Sequence, residues 1–430
     1  SPDRLAGVNA LLEDLKWRGL VSNSTDEDAL AGHLDAGPIT SYVGFDPTAP
    51  SLHVGHLMQL GLARRLQAAG HRPLLLVGGA TGLIGDPKET GERVMNPKDV
   101  VADWTERLRD QVSRYVDLHA SNAAIVVSNY DWIAEMPVID YLRDVGKYFP
   151  VNRMLARDVV ARRLEEGISY TEFSYVLLQS IDYAELHRRY NCTLQTGAQD
   201  QWGNITAGID YIRRRTGDVV HGLVTPLLTK SDGTKFGKTE GGSVWLDPEL
   251  TSPYAFYQFW LNVEDAKVIE CLKLYSRRSH EEIMELSDQT RSAPHLRAAQ
   301  RALAAEMTEV VHGLTARREA EAAGAAVFGN GDLRQLSPTT LAGVFRELGG
   351  ADLPCSADEL PTVSEALVAS GVVDSKSAAR RAIQEGGAYV NNLRVSDVEA
   401  HLQASDLLAG EFVLLRRGKR TVGAVRIARS

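Results

Sequence analysis

The stretch Ser41-Tyr42-Val43-Gly44-Phe45-Asp46-Pro47-Thr48-Ala49-Pro50-Ser51-Leu52-His53-Val54-Gly55-His56 changes its period midway. Ser41 to Phe45 alternate as a strand does, whereas Val54 to Ala69 carry apolar residues at helical spacing. The stretch reads as strand, turn and helix. Pro73-Leu74-Leu75-Leu76-Val77-Gly78 then forms an unbroken apolar run, as expected of a strand buried on both faces of a parallel sheet. Val100 to Leu118 reads as helix and Ala123 to Ser128 as another buried strand. This alternation predicts an open α/β sheet with ligands at the carboxyl ends of its strands.

Further along, Val138 to Glu166 is helical and charged with no strand signal, and reads as an insertion between two halves of the sheet. A helix at Glu172 to Tyr190, a strand at Thr193 to Thr196, a helix after Gln199 and a strand at Leu223 to Thr229 complete the second half. Beyond Ser252 the pattern is helical to about Gly349, and Gly349 to Pro361, punctuated by Pro and Gly, reads as a linker. The last seventy residues predict a helix near Ser375 to Glu385 stopped by Gly386-Gly387, then strands near Ala388 to Val390 and Phe412 to Arg416. The expected organisation is a catalytic domain over 1–250 with an insertion near 138–166, a helical domain over 251–350 and a small module over 361–430.

A chain of 430 residues exceeds one ordinary core, which agrees with two or three domains. No apolar run of about 18 residues occurs and no charged-then-apolar leader precedes the first helix, so a soluble, cytoplasmic protein away from membranes is expected. The three cysteines, Cys192, Cys271 and Cys355, are widely spaced without a Cys-x-x-Cys pair, and read as reduced thiols. The net charge of −9 is unevenly placed: residues 361–430 hold ten Lys/Arg against seven Asp/Glu, a basic tail on an acidic body. A polyanion partner there is one reading of that tail.

His53 and His56 flank Gly55 at a helix start, so both imidazoles can face one side while the glycine admits a flat base or a phosphate. About 180 residues further on, Lys230-Ser231-Asp232-Gly233-Thr234-Lys235-Phe236-Gly237-Lys238-Thr239 pairs two glycines with lysines long enough to neutralise a triphosphate. No Gly-x-x-x-x-Gly-Lys-Ser/Thr motif is present, so imidazoles, lysines and a helix end would hold the phosphates. Read singly, the histidines are a surface pair or half of a metal site, and the lysine loop is a solvated hairpin. No third ligand at metal spacing accompanies the histidines, and no protein-bound metal is expected.

Five ordered motifs make the reading specific. The Tyr42 to His56 stretch, Gly82-Leu83-Ile84-Gly85-Asp86-Pro87, Thr171 to Gln179, Gln199-Asp200-Gln201-Trp202-Gly203-Asn204 and Lys235 to Thr239 together resemble the bacterial tyrosyl-tRNA synthetases of class I. Residues 361–430 resemble the S4-like RNA-binding module, so the likeness covers nearly the whole chain. It implies a Rossmann-type open parallel sheet, then an α-helical domain, then a small α+β S4-like module. The implied reaction joins tyrosine to the α-phosphate of ATP with release of pyrophosphate, then moves the tyrosyl group to the terminal ribose of tRNA(Tyr). ATP is thereby a substrate, with Mg2+ expected on its phosphates, and a homodimer through the inserted helices is implied.

By the same resemblance Thr48, His53 and His56 would contact the phosphates, with Gly55 beside them and Lys235 and Lys238 closing over the pyrophosphate. Gly197 and Asp200 would meet the ribose, and Arg93 would face the phosphates. Tyr42 and Asp182 supply a donor and an acceptor for a phenol. Asp86, Tyr175 and Gln179 would hold the α-ammonium, with Gln201 as a further polar wall. Lys376, Arg380 and Arg381, near one face of the C-terminal helix, would meet RNA. The lysine loop departs from the Lys-Met-Ser-Lys-Ser of the wider class. Two other readings use fewer of these residues. A small-molecule adenylyltransferase shares the histidine turn but has no need of the tyrosine pocket or the tail, and a non-catalytic relative would have lost a signature histidine or lysine.

Overall fold

The computed structural model describes residues 9–356 and 358–429. The N-terminal residues 1–8, which bear on a leader, lie outside the described residues. The chain divides into two compact units, one running to Ser243 and including Lys273–Tyr275, the other comprising Val244–Leu272 and the chain from Ser276.

The first unit is built on six strands: β1 (Asn23–Ser24), β2 (Thr40–Phe45), β3 (Arg72–Val77), β4 (Ile125–Ser128), β5 (Cys192–Ala198) and β6 (His221–Thr225). Their order is β1-β6-β5-β2-β3-β4, parallel throughout except for β1, which pairs antiparallel with β6. Leu74, Leu75, Leu76 and Val77 are all buried, as the apolar run of β3 required. From β2 the chain winds outward to β3 and β4, then returns to β5 on the other side. The switch point therefore falls between β2 and β5, where an open α/β sheet presents its ligand crevice. Tyr42 of β2 lies opposite Gln195 of β5 there.

Helices Val54–Ala68, Lys98–Ser113, Tyr175–Tyr190 and Trp202–Thr216 provide the crossovers. The helix expected from Glu172 is two pieces, Tyr170–Phe173 and Tyr175–Tyr190. Ser169 caps the first piece, its hydroxyl accepting from the Glu172 N–H. Tyr175 thus opens the long helix with its side chain toward the sheet's carboxyl edge. The insertion has no strand and consists of short helical segments, among them Val138–Asp140, Val151–Leu155 and Asp158–Arg163. The lysine loop ends in a small hairpin, β7 (Lys238–Thr239) with β8 (Gly242–Ser243).

The second unit begins with helix Pro253–Leu261, helix Asp265–Tyr275 as far as Leu272, and helices His280–Ser292, Ala298–His312, Leu314–Val327 and Pro338–Glu347. The stretch read from sequence as a linker instead contains β9 (Ala351–Cys355), which pairs in parallel with β13 (Thr421–Arg429). With β10 (Ala388–Val390), β11 (Leu393–Arg394) and β12 (Phe412–Arg417) these form a sheet ordered β11-β10-β12-β13-β9. Leu408, Phe412, Leu414 and Ala424 share one apolar core with Ala323, Leu341 and Val344 of the helices. The C-terminal sheet is therefore seated on the helical segment through a continuous core.

Candidate active site

The two nucleotide motifs meet in the first unit. His53 is the N-cap of helix Val54–Ala68, and its Nδ1 accepts from the Gly55 N–H at 3.0 Å. His56 closes the cap reciprocally, its Nδ1 accepting from the His53 N–H at 3.1 Å, and the two rings lie 4.0 Å apart. A neutral imidazole that accepts at Nδ1 carries its proton on Nε2, so both rings present a donor beyond the cap. Burial holds His56 neutral, with its pKa lowered to about 3, and the neighbouring His53 acts in the same direction. His53 is lowered by burial first and then by the charges of Lys238 and Lys235. A side chain at Gly55 would run into the His53 ring, 2.7 Å from its Cε1, so the glycine is what allows this turn.

The lysine loop is attached to that helix start. Gly237 has φ of 87° in the left-handed region, and a Cβ there would come within 3.4 Å of Val54 Cβ and 3.7 Å of the Gly55 nitrogen. Lys230 Nζ donates to the Lys238 carbonyl at 2.8 Å, and Asp232 accepts from both the N–H and the hydroxyl of Thr234. These bonds brace the loop while the Lys235 and Lys238 side chains stay exposed. Thr48 is exposed in the turn after β2, its N–H donating to the Asp46 carbonyl at 2.9 Å. Gly197 is buried near the end of β5, and Asp200 is exposed in the turn that follows.

The phenol end of the pocket is buried. Asp182 is 2% exposed, accepts from Asn129 Nδ2 at 3.0 Å and from Trp132 Nε1 at 2.9 Å, and burial pushes its pKa up to about 8. Tyr42 is likewise 2% exposed, packs edge-on against Tyr183, and its hydroxyl has no hydrogen-bond partner among the described residues. A buried hydroxyl without a partner costs about 1–3 kcal/mol, an expense the pocket recovers when a ligand oxygen occupies it. Tyr42 shares one buried cluster with Trp132, whose Nε1 donates to Asp182, and burial first and then the charge of Asp182 push the Tyr42 hydroxyl's pKa up.

The other end is a nest of carboxylates. Asp86 accepts from Gln201 Nε2 at 2.9 Å and from Asn204 Nδ2 at 3.3 and 3.4 Å. Arg93, expected at the phosphates, is turned to this end, its Nε donating to the Asp86 carbonyl oxygen at 2.6 Å. Tyr175 donates its hydroxyl to Asp46 at 2.6 Å, and Gln179 follows one turn later on the same helix, half-buried. Burial raises the pKa of both Asp46 and Asp86, and the charge of Asp86 raises that of Asp46 further. A cation placed among them is the natural counter-ion.

Sequence reasoning gave no role to Asp46, Asn129, Trp132 or Asn204. Asp46 also accepts from Thr81 Oγ1 at 2.6 Å, and a Cβ at Gly78 would overlap its carboxylate. Its position at the end of a strand before a proline was the only local sign. The loop after Asp86 is anchored by Arg163, which donates to the Lys88 carbonyl at 3.0 Å and to Glu92 and the buried Glu172 at 2.7 and 3.1 Å.

In the C-terminal sheet unit, Lys376, Arg380 and Arg381 are all exposed on helix Lys376–Gln384. Arg380 pairs with Glu399 at 2.7 Å and Lys376 with Glu365 at 3.8 Å, whereas Arg381 makes no ion pair among the described residues. Arg394 was not singled out from sequence, yet its guanidinium lies on Gly386, where a Cβ would overlap it. It adds positive charge at the end of the same helix.

No described helix is long and apolar enough to cross a membrane, and no metal-binding cluster of His, Cys, Asp and Glu occurs among the described residues. The family model for class I tRNA synthetases (W and Y) matches residues 34–329, and that for the tyrosine–tRNA ligase SYY-like C-terminal domain matches 349–423. A tyrosine–tRNA ligase of Cutibacterium acnes is 64% identical over 418 residues, covering 97% of this chain and 100% of the relative. One from Kineococcus radiotolerans is 56% identical, covering 98% and 99%. Among solved structures, a C-terminally truncated mitochondrial tyrosyl-tRNA synthetase of Aspergillus nidulans superposes with a TM-score of 0.66 at 29% identity, over 72% of this chain and 92% of that one.

Proposed function

The chain belongs to the class I tyrosyl-tRNA synthetases and is a tyrosine–tRNA ligase, and from that premise we propose how its residues divide the work. ATP, tyrosine and tRNA are its substrates. Tyr42 donates to the substrate phenol oxygen while the Asp182 carboxylate accepts a hydrogen bond from the phenol hydroxyl. The observation that carries this reading is the buried Tyr42 hydroxyl without a partner beside a carboxylate fixed by Asn129 and Trp132.

Asp86, Tyr175, Gln179 and Gln201 take the α-ammonium end, with Asp46 fixing the Tyr175 hydroxyl. The substrate carboxylate then lies toward the carboxyl end of β2, where Thr48, His53 and His56 face the ATP phosphates. Adenylation needs in-line placement and relief of charge on the departing pyrophosphate, and no protein nucleophile. Neutral Nε2–H donors and the two exposed lysines meet that requirement, with Mg2+ carried on the ATP phosphates. Gly197 and Asp200 serve the ribose. The terminal nitrogens of Arg93 remain for the α-phosphate.

The phenol assignment predicts a pH dependence. Donation from tyrosine favours ionised Asp182, so binding lowers the pKa from about 8 and releases a proton. Tyrosine affinity should therefore rise with pH to a plateau above 8, and weaken by up to about tenfold per pH unit below it. Equilibrium dialysis from pH 6 to 9 should show this slope, and Asp182→Asn should abolish it. A wild-type affinity flat across that range would contradict the assignment.

We further propose a catalytic domain over 1–250, a helical domain over 251–350 and an RNA-binding module over 361–430, acting in the cytoplasm. Dimerisation through the insertion is supported by exposed Val138, Ile139, Leu142 and Val151. Lys376, Arg380 and Arg381 are assigned to tRNA. Charge reversal tests this better than truncation, because a chain ending near Leu360 would strip Leu408, Phe412 and Leu414 from the core they share with Leu341 and Val344. Arg381→Glu should weaken tRNA binding and lower its salt slope by about one unit, with adenylate formation unchanged. An unaltered salt dependence would count against the RNA face.

A further inference from the structure

Arg157 belongs to the insertion, in extended conformation just before helix Asp158–Arg163, and no role attaches to it from sequence. Its Nη2 donates to Asn204 Oδ1 at 2.7 Å. The guanidinium reaches that point by lying across Gly203, where any Cβ would stand 3.0 Å from Nη2 and 3.4 Å from Nε. Asn204 is 2% exposed, and its Nδ2 donates both to the Asp86 carboxylate and to Gln201 Oε1, the latter at 3.0 Å. Gln201 in turn donates to Asp86 at 2.9 Å.

A carboxamide is nearly symmetric in shape and opposite in hydrogen-bonding sense at its two ends. Turned over, Asn204 would point an oxygen at the Asp86 carboxylate and at Gln201 Oε1, a repulsive arrangement in a buried place. A donor fixed at Oδ1 reinforces the productive orientation from the other end, and a guanidinium cannot lose its proton to become an acceptor. We propose that Arg157 is a positioning residue for tyrosine recognition, locking Asn204 so that Asp86 stays aimed at the substrate ammonium. The charge of Arg157 also favours the ionised form of Asp86, adding to the hydrogen bonds of Gln201 and Asn204. Specificity at the amino-acid pocket is thereby tied to the inserted segment, through one side chain that does not touch substrate.

This inference rests on the assignment of Asp86 to the α-ammonium, and the test separates the two. The full-length Arg157→Met variant is compared with the unaltered protein for binding of L-tyrosine and of 3-(4-hydroxyphenyl)propanoate, which lacks only the amino group. L-tyrosine should bind about tenfold more weakly, while the des-amino ligand and the KM for ATP change by less than about twofold. Arg157→Lys, which keeps the charge without the planar fork, should show the same selectivity at smaller size, and serves if the methionine variant fails to fold. Equal weakening of both ligands, or of neither, would overturn the inference. Asp86→Asn is the control. If it weakens L-tyrosine selectively and neither Arg157 variant does, only the positioning role falls. If Asp86→Asn does not discriminate between the ligands, the ammonium assignment falls and the inference with it.

Discussion

Replacing Lys235 and Lys238 together by alanine is expected to slow tyrosyl-adenylate formation by about 10³-fold or more, with tyrosine affinity changed by less than about twofold. Both side chains are exposed on either side of Gly237, whose backbone rests on Val54 and Gly55, beside the paired imidazoles. Their charges already act on His53. ATP is already anionic, but further negative charge develops on the departing pyrophosphate, first at its bridging oxygen, as the bond to the α-phosphate breaks. Cations that meet it there lower the barrier without strengthening ground-state binding. One such contact is commonly worth about 10²–10³ in rate, and two acting on the same group are not additive. Rapid-quench single turnover with saturating tyrosine and ATP reads this directly. A rate within tenfold of the unaltered protein would remove the lysines from the chemistry.

Asp182→Ala should have a comparably large effect at the other end of the pocket. The substitution removes the proposed acceptor for the phenol hydrogen bond and also strands Trp132 Nε1 and one of the two N–H groups of Asn129 Nδ2, whose other N–H reaches Thr81 Oγ1. Each unmet donor costs about 1–3 kcal/mol. The expected result is a loss of about 10³-fold in kcat/KM for tyrosine, while the feeble activation of phenylalanine changes little, so selectivity between them collapses. Tyr42→Phe removes a hydroxyl that has no partner among the described residues, so its cost appears on binding and should be nearer tenfold. Parallel steady-state kinetics on the two amino acids measures both. Selectivity preserved in Asp182→Ala would place phenol recognition elsewhere.

The parts of this site carried by contiguous chemistry were legible from sequence. Two histidines across a glycine at a helix start, and lysines in a glycine-bearing loop, keep their meaning because turn geometry and charge are local. The parallel strands were legible because burial on both faces leaves an apolar run such as Pro73 to Val77. Asp46, Asn129, Trp132, Asn204 and Arg157 were not, since each matters through a partner 47 to 129 residues away. No period or motif records such a meeting. The bond from Arg93 Nε to the Asp86 carbonyl, made across the turn at Gly85, left no sign in the sequence either. The stretch Gly349 to Pro361 looked like a linker because Gly and Pro punctuate it. Strand β9 forms there because β13 offers it a parallel edge, and that edge lies seventy residues downstream.

On the proposed assignment, the orphaned Tyr42 hydroxyl and the buried Asp182 make this nucleotide site read a phenol. Amino-acid-dependent exchange of labelled pyrophosphate into ATP, run with tyrosine, phenylalanine and tryptophan on the full chain, tests it most directly. Exchange supported by tyrosine, with phenylalanine and tryptophan near background, is the predicted result. Exchange that tyrosine does not support, or that tryptophan supports equally well, would contradict it.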